Sequence, residues 1–246
     1  MPSHTHPLLL GFAALMAPLL GTPSPTSAEE IPSLQAELDA RAAGFAATAP
    51  AEMQAAFAQG IDDVRRTGLV ETAKNVGDQA PSAVLNSTTG SPVDLSDLWA
   101  DGHVVVSFYR GGWCPYCNIQ LKALQRSLAK IEGAGATLVA VTPEIAEKAV
   151  ETSAKNELGF TVLSDKDNRL AKAFGIVFEL PEVIRPIYEN RIGLAAYNGN
   201  DDNELPLSAT YVIDSRGVIR WAFLDADYKR RAEPGDIVAA VKALND

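Results

Sequence analysis

The chain contains two cysteines, Cys114 and Cys117, which form a C-x-x-C motif. Two thiols at this spacing can alternate between a dithiol and a disulfide, and the thiolate is the nucleophilic form of each. In such motifs the pKa of a cysteine falls from an ordinary value of about 8.5 to roughly 3.5–7.5. Arg110, which precedes Cys114 by four residues, can add a stabilising positive charge. The motif therefore predicts a redox-active pair.

Three other uses of two cysteines fit the sequence less well. A structural zinc site requires about four Cys or His ligands, but the histidines are His4, His6 and His103, and the first two lie in a predicted leader. Covalent haem attachment requires His directly after the second cysteine, where this chain has Asn118. A purely structural disulfide that closes so short a loop removes little chain entropy. We therefore expect neither a metal nor a cofactor.

The motif lies where the sequence predicts that a strand turns into a helix. The run His103–Tyr109 is apolar and β-branched, as in a buried central strand of a parallel sheet, and Gly111 and Gly112 interrupt it. Apolar residues then recur at helical spacing as far as Gly133, and Pro115 suits an early helical position. The unpaired N–H groups and positive dipole of a helix start stabilise a thiolate.

The N-terminal segment has the pattern of a secretory signal peptide. An apolar run, Leu8–Leu20, is followed by the small residues Thr26–Ala28. A membrane anchor needs about 18 or more apolar residues, so this shorter run predicts cleavage near Ala28 and no stable membrane insertion. We expect residues 1–28 to be removed and the protein to be exported, to the periplasm or outside the cell.

Composition limits the choice of partners. The formal net charge of −10 and the pI near 4.8 argue against nucleic acid or an anionic membrane surface as a partner. A hydrophobic fraction of 47% is ample for a core.

Residues 29–75 predict a helical hairpin ahead of the main domain. Ser33 can cap a first helix, and Pro50 opens a second one with apolar residues in register. We interpret this extension as a packing appendage or a contact of a homodimer, rather than as part of the catalytic machinery.

Residues 76–246 alternate between strand and helix patterns and predict an α/β, thioredoxin-like fold: a central mixed sheet flanked by helices. Thr142 and Pro143 are expected to cap and open the helix after the second buried strand. The stretch Gly175–Pro206 is long for a loop, so it is either a lid or a partly helical insertion. The expected strands and last helix are an edge strand at Val84–Leu85, a buried strand at Thr137–Thr142, a short strand at Phe160–Leu163, a hairpin of Thr210–Ile213 and Val218–Phe223, and a helix at Pro234–Leu244.

Two motifs, FYRGGWCPYCNIQL and TYVIDSRGVIRWAF, resemble the peroxiredoxin-like branch of the alkyl hydroperoxide reductase and thiol-specific antioxidant (AhpC/TSA) family. The likeness covers roughly residues 76–244 and implies an antioxidant thiol peroxidase. Its pattern F-Y-P-x-x-x-T-x-x-C places the peroxidatic cysteine at Cys117 and the threonine at Cys114. The motif proline falls on Arg110 and the arginine before the later strand falls on Ser208. Arg231 matches a second family arginine, or alternatively forms a salt bridge with Glu233 or Asp236.

WCPYC also resembles the motif of thioredoxins and glutaredoxins, which implies a different assignment. There Cys114 is the nucleophile and Cys117 resolves the mixed disulfide, while Ser208 occupies the place of a cis-proline that faces the pair. Tyr109, Trp113 and Tyr116 either line a substrate pocket or pack around the turn.

Both assignments end in a disulfide between Cys114 and Cys117. The first hypothesis, a peroxidase, implies a hydroperoxide substrate and a dithiol reductant such as a thioredoxin-like protein. The second hypothesis is a thiol–disulfide oxidoreductase that acts on protein disulfides, with Cys114 as the nucleophile. A redox sensor without turnover is the third hypothesis.

Overall fold

The computed structural model describes residues 1–3 and 33–245. The predicted signal peptide, residues 1–28, therefore lies outside the described residues apart from its first three, and it stays a prediction. The chain from Ser33 to Asn245 belongs to one compact unit. Within the described residues, no helix is both long enough and apolar enough to cross a membrane.

The strands in the described residues are Val84–Ser87 (β1), Pro92–Asp94 (β2), His103–Phe108 (β3), Ala136–Thr142 (β4), Thr161–Ser164 (β5), Val177–Glu179 (β6), Glu204–Pro206 (β7), Thr210–Ile213 (β8) and Ile219–Phe223 (β9). Seven of them form a mixed sheet at the centre of this unit, in the order β2-β1-β5-β4-β3-β8-β9. The strands β3, β4 and β5 are parallel, and the remaining pairs are antiparallel. A separate antiparallel pair, β6 and β7, lies outside this sheet.

Helices cover both faces of the sheet, as the predicted α/β architecture requires. The described helices are Leu34–Thr48 (α1), Ala51–Arg66 (α2), Leu69–Thr72 (α3), Leu95–Ala100 (α4), Pro115–Gly133 (α5), Ala146–Lys155 (α6), Arg169–Ala173 (α7), Arg185–Ile187 (α8), Leu194–Asn198 (α9) and Pro234–Lys242 (α10), with a 3₁₀ turn at Lys166–Asn168 and a π-helical turn at Tyr188–Ile192.

The central strand and the helix after it are as predicted. Every residue of β3 after His103 is buried, because α-helices cover the sheet on both sides and its apolar run has no solvated face. Helix α5 follows with Pro115 in its first turn and buries Leu121, Leu124 and Ile131 against the sheet. This strand-to-helix junction positions the two cysteines.

Two predicted details are wrong. Val84–Leu85 belongs to a strand that is not at the edge, because Pro92–Asp94 pairs with its outer side and β5 with its inner side. The helix after β4 begins at Ala146 and not at Pro143. The Thr142–Pro143 signal does not start a helix here because the next residue, Glu144, turns inward and is fully buried.

The segment Gly175–Pro206 is a partly helical insertion, one of the two predicted alternatives. It contains the two-stranded sheet of β6 and β7, the helices α8 and α9 and the π-helical turn between them. Leu180, Ile184, Tyr188 and Leu194 give it a small apolar core of its own. Its sequence has no sustained periodicity, because each element is at most five residues long.

The N-terminal extension forms the two predicted helices, α1 and α2. The hydroxyl of Ser33 accepts a hydrogen bond from the N–H of Ala36, as a cap should. The carboxylate of Glu233, at the start of α10, accepts hydrogen bonds from the N–H groups of Leu34 and Gln35 at 3.0 and 2.7 Å. The extension is therefore tied to the main domain at its first turn.

Candidate active site

The two cysteines occupy the first turn of α5. Cys114 is the N-cap residue of this helix, and Cys117 follows one turn later. Both are free thiols, with 2% and 0% of their surface exposed, respectively. The N–H of Cys114 donates to the carbonyl of Gly111 at 3.0 Å. The strand-to-helix junction thus places both thiols inside the protein, next to each other.

Two glycines allow the chain to pass from the strand into the cysteine turn. A Cβ on Gly112 would lie 2.0 Å from Oγ1 of Thr152, and one on Gly111 would lie 2.2 Å from Nε1 of Trp113. Gly111 also has a φ of +146°, a conformation that side chains disfavour. The glycines are therefore required by close approach and by conformation, in addition to ending the strand.

Arg231 contacts the thiol of Cys117. Its Nη2 lies 3.6 Å from the Cys117 Sγ, and the rest of its guanidinium is held by the side-chain oxygen of Gln120 and the carbonyl of Tyr228, both at 2.7 Å. Arg231 is buried. Among the described residues, Arg231 forms no salt bridge with Glu233 or Asp236, so that alternative is wrong. The carboxylate of Glu233 caps α1 instead.

These contacts shift the pKa values of the two thiols in opposite directions. Burial alone would raise the pKa of Cys117, but the hydrogen bond from the Cys114 thiol and the positive charges of Arg231 and Arg110 outweigh it, so this pKa lies well below its ordinary value. Burial and the same hydrogen bond raise the pKa of Cys114 well above its ordinary value. These opposite shifts favour a Cys117 thiolate beside a neutral Cys114 thiol.

Arg110 lies on the other side of the pair, fully surrounded by protein. Its Nη1 is 4.0 Å from the Sγ of Cys114, and its Nη2 donates to the hydroxyl of Tyr188. The guanidinium carbon also lies 5.1, 5.3 and 4.5 Å from the ring centroids of Trp113, Tyr188 and Tyr228. This aromatic cage holds a cation beside the thiols, and no carboxylate in the part of the chain that the structure describes pairs with it.

The remaining predicted residues have different surroundings. Ser208 is buried and lines, with Arg110, a small cavity of about 20 Å³, which has room for about one water molecule. Tyr109 packs below the loop, where its hydroxyl donates to Glu144 at 3.1 Å. Trp113, Pro115 and Tyr116 line a larger pocket.

Sequence reasoning missed Glu144, which holds the cysteine loop from below. Its carboxylate accepts hydrogen bonds from the N–H of Gly112 at 3.0 Å, from Tyr109 and from the hydroxyl of Thr152. Burial raises its pKa, although these hydrogen bonds oppose the shift. The sequence Thr142-Pro143 predicts a helix start, and a residue in the first turn of a helix is not expected to point inward as Glu144 does. The described residues contain no group of three or more Cys, His, Asp or Glu that could hold a metal ion.

A family model described as the AhpC/TSA family matches residues 76–222, more than half of the chain. The chain belongs to the AhpC/TSA family. The match includes both cysteines, Arg110, Glu144 and Ser208, and it ends before Arg231.

Curated relatives of this AhpC/TSA protein are named as peroxiredoxins. "Putative peroxiredoxin bcp" of Haemophilus influenzae is 32% identical over 102 residues, which cover 42% of this chain and 65% of that protein. "Peroxiredoxin Q, chloroplastic" of Triticum aestivum is 29% identical over 216 residues, or 86% of this chain and 85% of that protein. The match thus spans slightly less than two thirds of the bacterial relative and most of the plant one.

Solved structures share the fold of this family member. The peroxidoxin BcpB of Mycobacterium tuberculosis has a TM-score of 0.55 at 20% identity, and the match covers 70% of this chain and 99% of that one. The bacterioferritin comigratory protein of Xanthomonas campestris has a TM-score of 0.52 at 18% identity, with coverages of 71% and 99%. The predicted thioredoxin-like fold is confirmed.

A pocket of about 500 Å³ opens onto the candidate active site of this AhpC/TSA protein. Cys114 and Arg110 lie in its wall, whereas Cys117 does not. Helices α1 and α2 form part of the same wall, and α1 also packs into the core of the main domain. The pocket is lined by Arg41, Ala42, Phe45, Ala46, Met53, Gln54, Phe57, Ala58, Arg110, Trp113, Cys114, Pro115, Tyr116, Ile187, Tyr188, Ile192, Tyr228 and Lys229.

Proposed function

We propose that this protein is a thiol peroxidase that reduces hydrogen peroxide or organic hydroperoxides through Cys117 and Cys114. The observation that carries the proposal is the contact between the Arg231 guanidinium and the Cys117 thiol, 3.6 Å apart in a buried site. A nearby cation stabilises the thiolate, which is the form that attacks a peroxide. Membership of the AhpC/TSA family and the names of its relatives support the same activity.

In the first step the Cys117 thiolate attacks the terminal oxygen of the hydroperoxide. A sulfur–oxygen bond forms, the peroxide bond breaks, and the sulfur is oxidised to a sulfenic acid. The departing oxygen takes up a proton and leaves as water or alcohol. Arg110 and Arg231, on either side of the pair, favour the negative charge that develops on this oxygen.

In the second step the Cys114 thiol condenses with the sulfenic acid. The sulfur–sulfur bond forms, the sulfur–oxygen bond breaks, and one water molecule leaves. Cys114 is the N-cap of α5 and Cys117 lies in the first turn of the same helix, so the two residues are neighbours. Cys114 therefore replaces the threonine of the family pattern and adds a resolving function.

A dithiol reductant, such as a thioredoxin-like protein, then returns the disulfide to two thiols by exchange and is itself oxidised. We place this cycle in the periplasm or outside the cell, in line with the predicted signal peptide. A homodimer also remains part of the proposal, and size-exclusion chromatography with light scattering would measure it.

Single-turnover oxidation tests the peroxidase. The reduced full-length protein should consume one equivalent of hydrogen peroxide rapidly and lose both thiols. Cys117→Ser should abolish rapid consumption, whereas the matched Cys114→Ser variant should still consume peroxide but stop at a sulfenic acid that dimedone traps. Equal rates for the wild type and Cys117→Ser would overturn the assignment.

A second candidate function is thiol–disulfide exchange with Cys114 as the nucleophile. It is favoured by one observation, that Cys114 and not Cys117 lines the open pocket. This candidate predicts reduction of insulin disulfides that depends on Cys114. Insulin reduction that survives Cys114→Ser would rule it out, and rapid peroxide consumption by that variant would favour the peroxidase.

A further inference from the structure

One buried acid takes no part in the peroxidase steps proposed above. Glu144 is fully buried. Its carboxylate accepts hydrogen bonds from the N–H of Gly112 at 3.0 Å and from the hydroxyls of Tyr109 and Thr152 at 3.1 and 3.2 Å. A buried carboxylate without such donors would be costly, and an ionised one can only accept. The donors therefore hold the acid in one place, and the acid in turn holds the donors.

Two of these donors lie at the ends of the loop that leads from β3 to the cysteine turn. Tyr109 begins this loop directly after β3, and Gly112 ends it. Between them, Gly111 has a φ of +146°, and glycine reaches many backbone conformations at little steric cost. A loop with such a residue needs an anchor to keep one conformation. The Glu144 carboxylate supplies it by joining the two ends.

Other contacts fix Glu144 and the end of the loop to the rest of the domain. The hydroxyl of Ser164, at the end of β5, donates to the backbone carbonyl of Glu144 at 2.6 Å. The side-chain amide of Asn156, after α6, donates to the side-chain oxygen of Asn118 at 2.8 Å. Asn118 in turn donates to the carbonyl of Gly112 at 2.8 Å. Gly112 is thus held at both its N–H and its carbonyl.

The clamped loop carries Arg110, which acts on the thiols. Burial raises the pKa of Cys117, and the Cys114 thiol and Arg231 lower it. Two features of Arg110 lower it further, namely the charge of its guanidinium and a hydrogen bond from its backbone N–H. Both depend on where the loop places Arg110, because hydrogen bonds and charge interactions weaken with distance.

We propose that Glu144 is a positioning residue for the Cys117 thiolate, which it serves by clamping the loop from Tyr109 to Gly112 so that Arg110 meets the thiols. Glu144 acts through Arg110 and is not itself a reacting group. The benefit of the clamp to turnover rests on the proposed peroxidase function. Its effect on the thiolate can be measured without any peroxide.

Two variants separate the position of the loop from the charge of the acid. Burial raises the pKa of Glu144 and the negative charge of Cys117 adds to the rise, so the two anions repel each other. Removing the charge alone should therefore lower the pKa of Cys117. Glu144→Gln loses the charge but keeps an acceptor for the N–H of Gly112, whereas Glu144→Ala loses both.

The readout is the pH profile of alkylation by iodoacetamide on the reduced full-length protein, with the labelled cysteine identified by mass spectrometry. Glu144→Gln should leave the midpoint of the Cys117 profile unchanged or lower it. Glu144→Ala should raise the midpoint by about one pH unit, which is a tenfold loss of rate on the acid side of the midpoint. A midpoint in Glu144→Ala at or below the wild-type value would overturn the proposal, and so would an equal rise in both variants.

Asp165 provides a matched control for the loss of a buried acid. Its carboxylate is also buried and accepts from backbone N–H groups, those of Leu170 and Ala171, both at 2.9 Å. These belong to α7 and not to the loop before the cysteines. Asp165→Ala should therefore lower the urea midpoint of unfolding but keep the wild-type alkylation profile. A rise of the Cys117 midpoint in Asp165→Ala equal to that in Glu144→Ala would show general destabilisation and overturn the clamp.

A milder variant keeps the test decisive if Glu144→Ala does not fold. Tyr109→Phe deletes one oxygen and with it one of the two loop contacts of the carboxylate. It should raise the Cys117 midpoint by less than the full pH unit expected for Glu144→Ala. An unchanged midpoint in Tyr109→Phe, with Glu144→Ala unfolded or also unchanged, would contradict the clamp.

Single-turnover kinetics distinguish failure of the clamp from failure of the proposed function. If Cys117→Ser consumes hydrogen peroxide as fast as the wild type, the peroxidase fails, while the alkylation profiles still decide the clamp. If the peroxidase is confirmed and Glu144→Ala oxidises at the wild-type rate with the wild-type alkylation profile, the clamp fails and the peroxidase stands.

Discussion

At the scale of single residues, the hydrogen bond from the Cys114 thiol and the positive charges of Arg231 and Arg110 lower the pKa of Cys117. Arg231 donates toward Cys117 from a position fixed by Gln120 and the Tyr228 carbonyl, whereas Arg110 is 4.0 Å from Cys114 and is held by aromatic rings. The closer cation thus faces Cys117. This residue-level asymmetry is the physical reason to assign the attack on peroxide to the second cysteine of the motif.

Replacing Arg231 by Met should raise the pKa of Cys117, because the buried thiolate loses its nearest positive charge. In the wild type the pKa of Cys117 is lowered, so the rate of alkylation by iodoacetamide should stay high below the ordinary thiol pKa of about 8.5. It should fall only as the pH drops through the lowered pKa. In Arg231→Met the rise should move toward alkaline pH, and the rate at pH 7 should fall about tenfold or more, equivalent to one pKa unit.

The neighbouring residue supplies the control for this experiment. Arg230 is exposed and pairs with Asp225 at 3.1 Å, so Arg230→Met should keep the wild-type pH profile. Arg231→Lys keeps a cation and should shift the profile less than Arg231→Met. An unchanged pH profile in Arg231→Met would mean that a group other than Arg231 lowers the pKa of Cys117.

At the scale of elements, the parts predictable from sequence are those with strong local patterns. The apolar run of β3, the proline at the start of α5 and the apolar repeat of that helix each imply their structure directly. Thr142-Pro143 has a helix-start pattern as well, but hydrogen bonds from Tyr109 and Gly112 hold the Glu144 side chain inward. Helix α6 therefore begins only at Ala146. The position of Tyr188 over Arg110 comes from an insertion of very short elements, which no periodicity reveals.

The attachment of α1 depends on one carboxylate from the other end of the chain. Glu233 accepts two N–H hydrogen bonds and one from the Ser33 hydroxyl at the start of α1, where a negative charge also interacts favourably with the helix dipole. Glu233→Ala should therefore lower the free energy of unfolding by about 1–2 kcal/mol, measured by urea denaturation. Glu182→Ala, at an exposed loop position, should change it by less than about 0.5 kcal/mol.

Limited proteolysis gives the complementary result. If Glu233 fixes the first turn of α1, a protease should cut near the start of α1 faster in Glu233→Ala than in Glu182→Ala. Equal cleavage rates and equal stabilities would show that the apolar contacts of Leu34 and Leu38 hold the helix without the carboxylate.

At the scale of the whole molecule, the extension and the main domain share one core. Leu34 and Leu38 of α1 belong to the same buried cluster as Leu121 and Leu124 of α5. The sequence predicts the two helices of the extension and the α/β domain separately, and it predicts the cysteine pair. It does not predict that the extension and the insertion meet at one pocket, because that depends on contacts between residues far apart in the chain.

A shared core predicts that the reduced protein unfolds in a single cooperative transition. Helices α1 and α2 contribute to the far-ultraviolet circular dichroism, while Trp99, on the side of the sheet away from α1, reports with the other tryptophans through fluorescence. Urea titrations followed by the two probes should have coincident midpoints, as two-state unfolding requires. Since Glu233 joins the two parts, Glu233→Ala should lower both midpoints equally. Loss of helical signal at a lower urea concentration than the fluorescence change would show that the extension unfolds first, and the pocket lined by α1 and α2 would then open before the sheet unfolds.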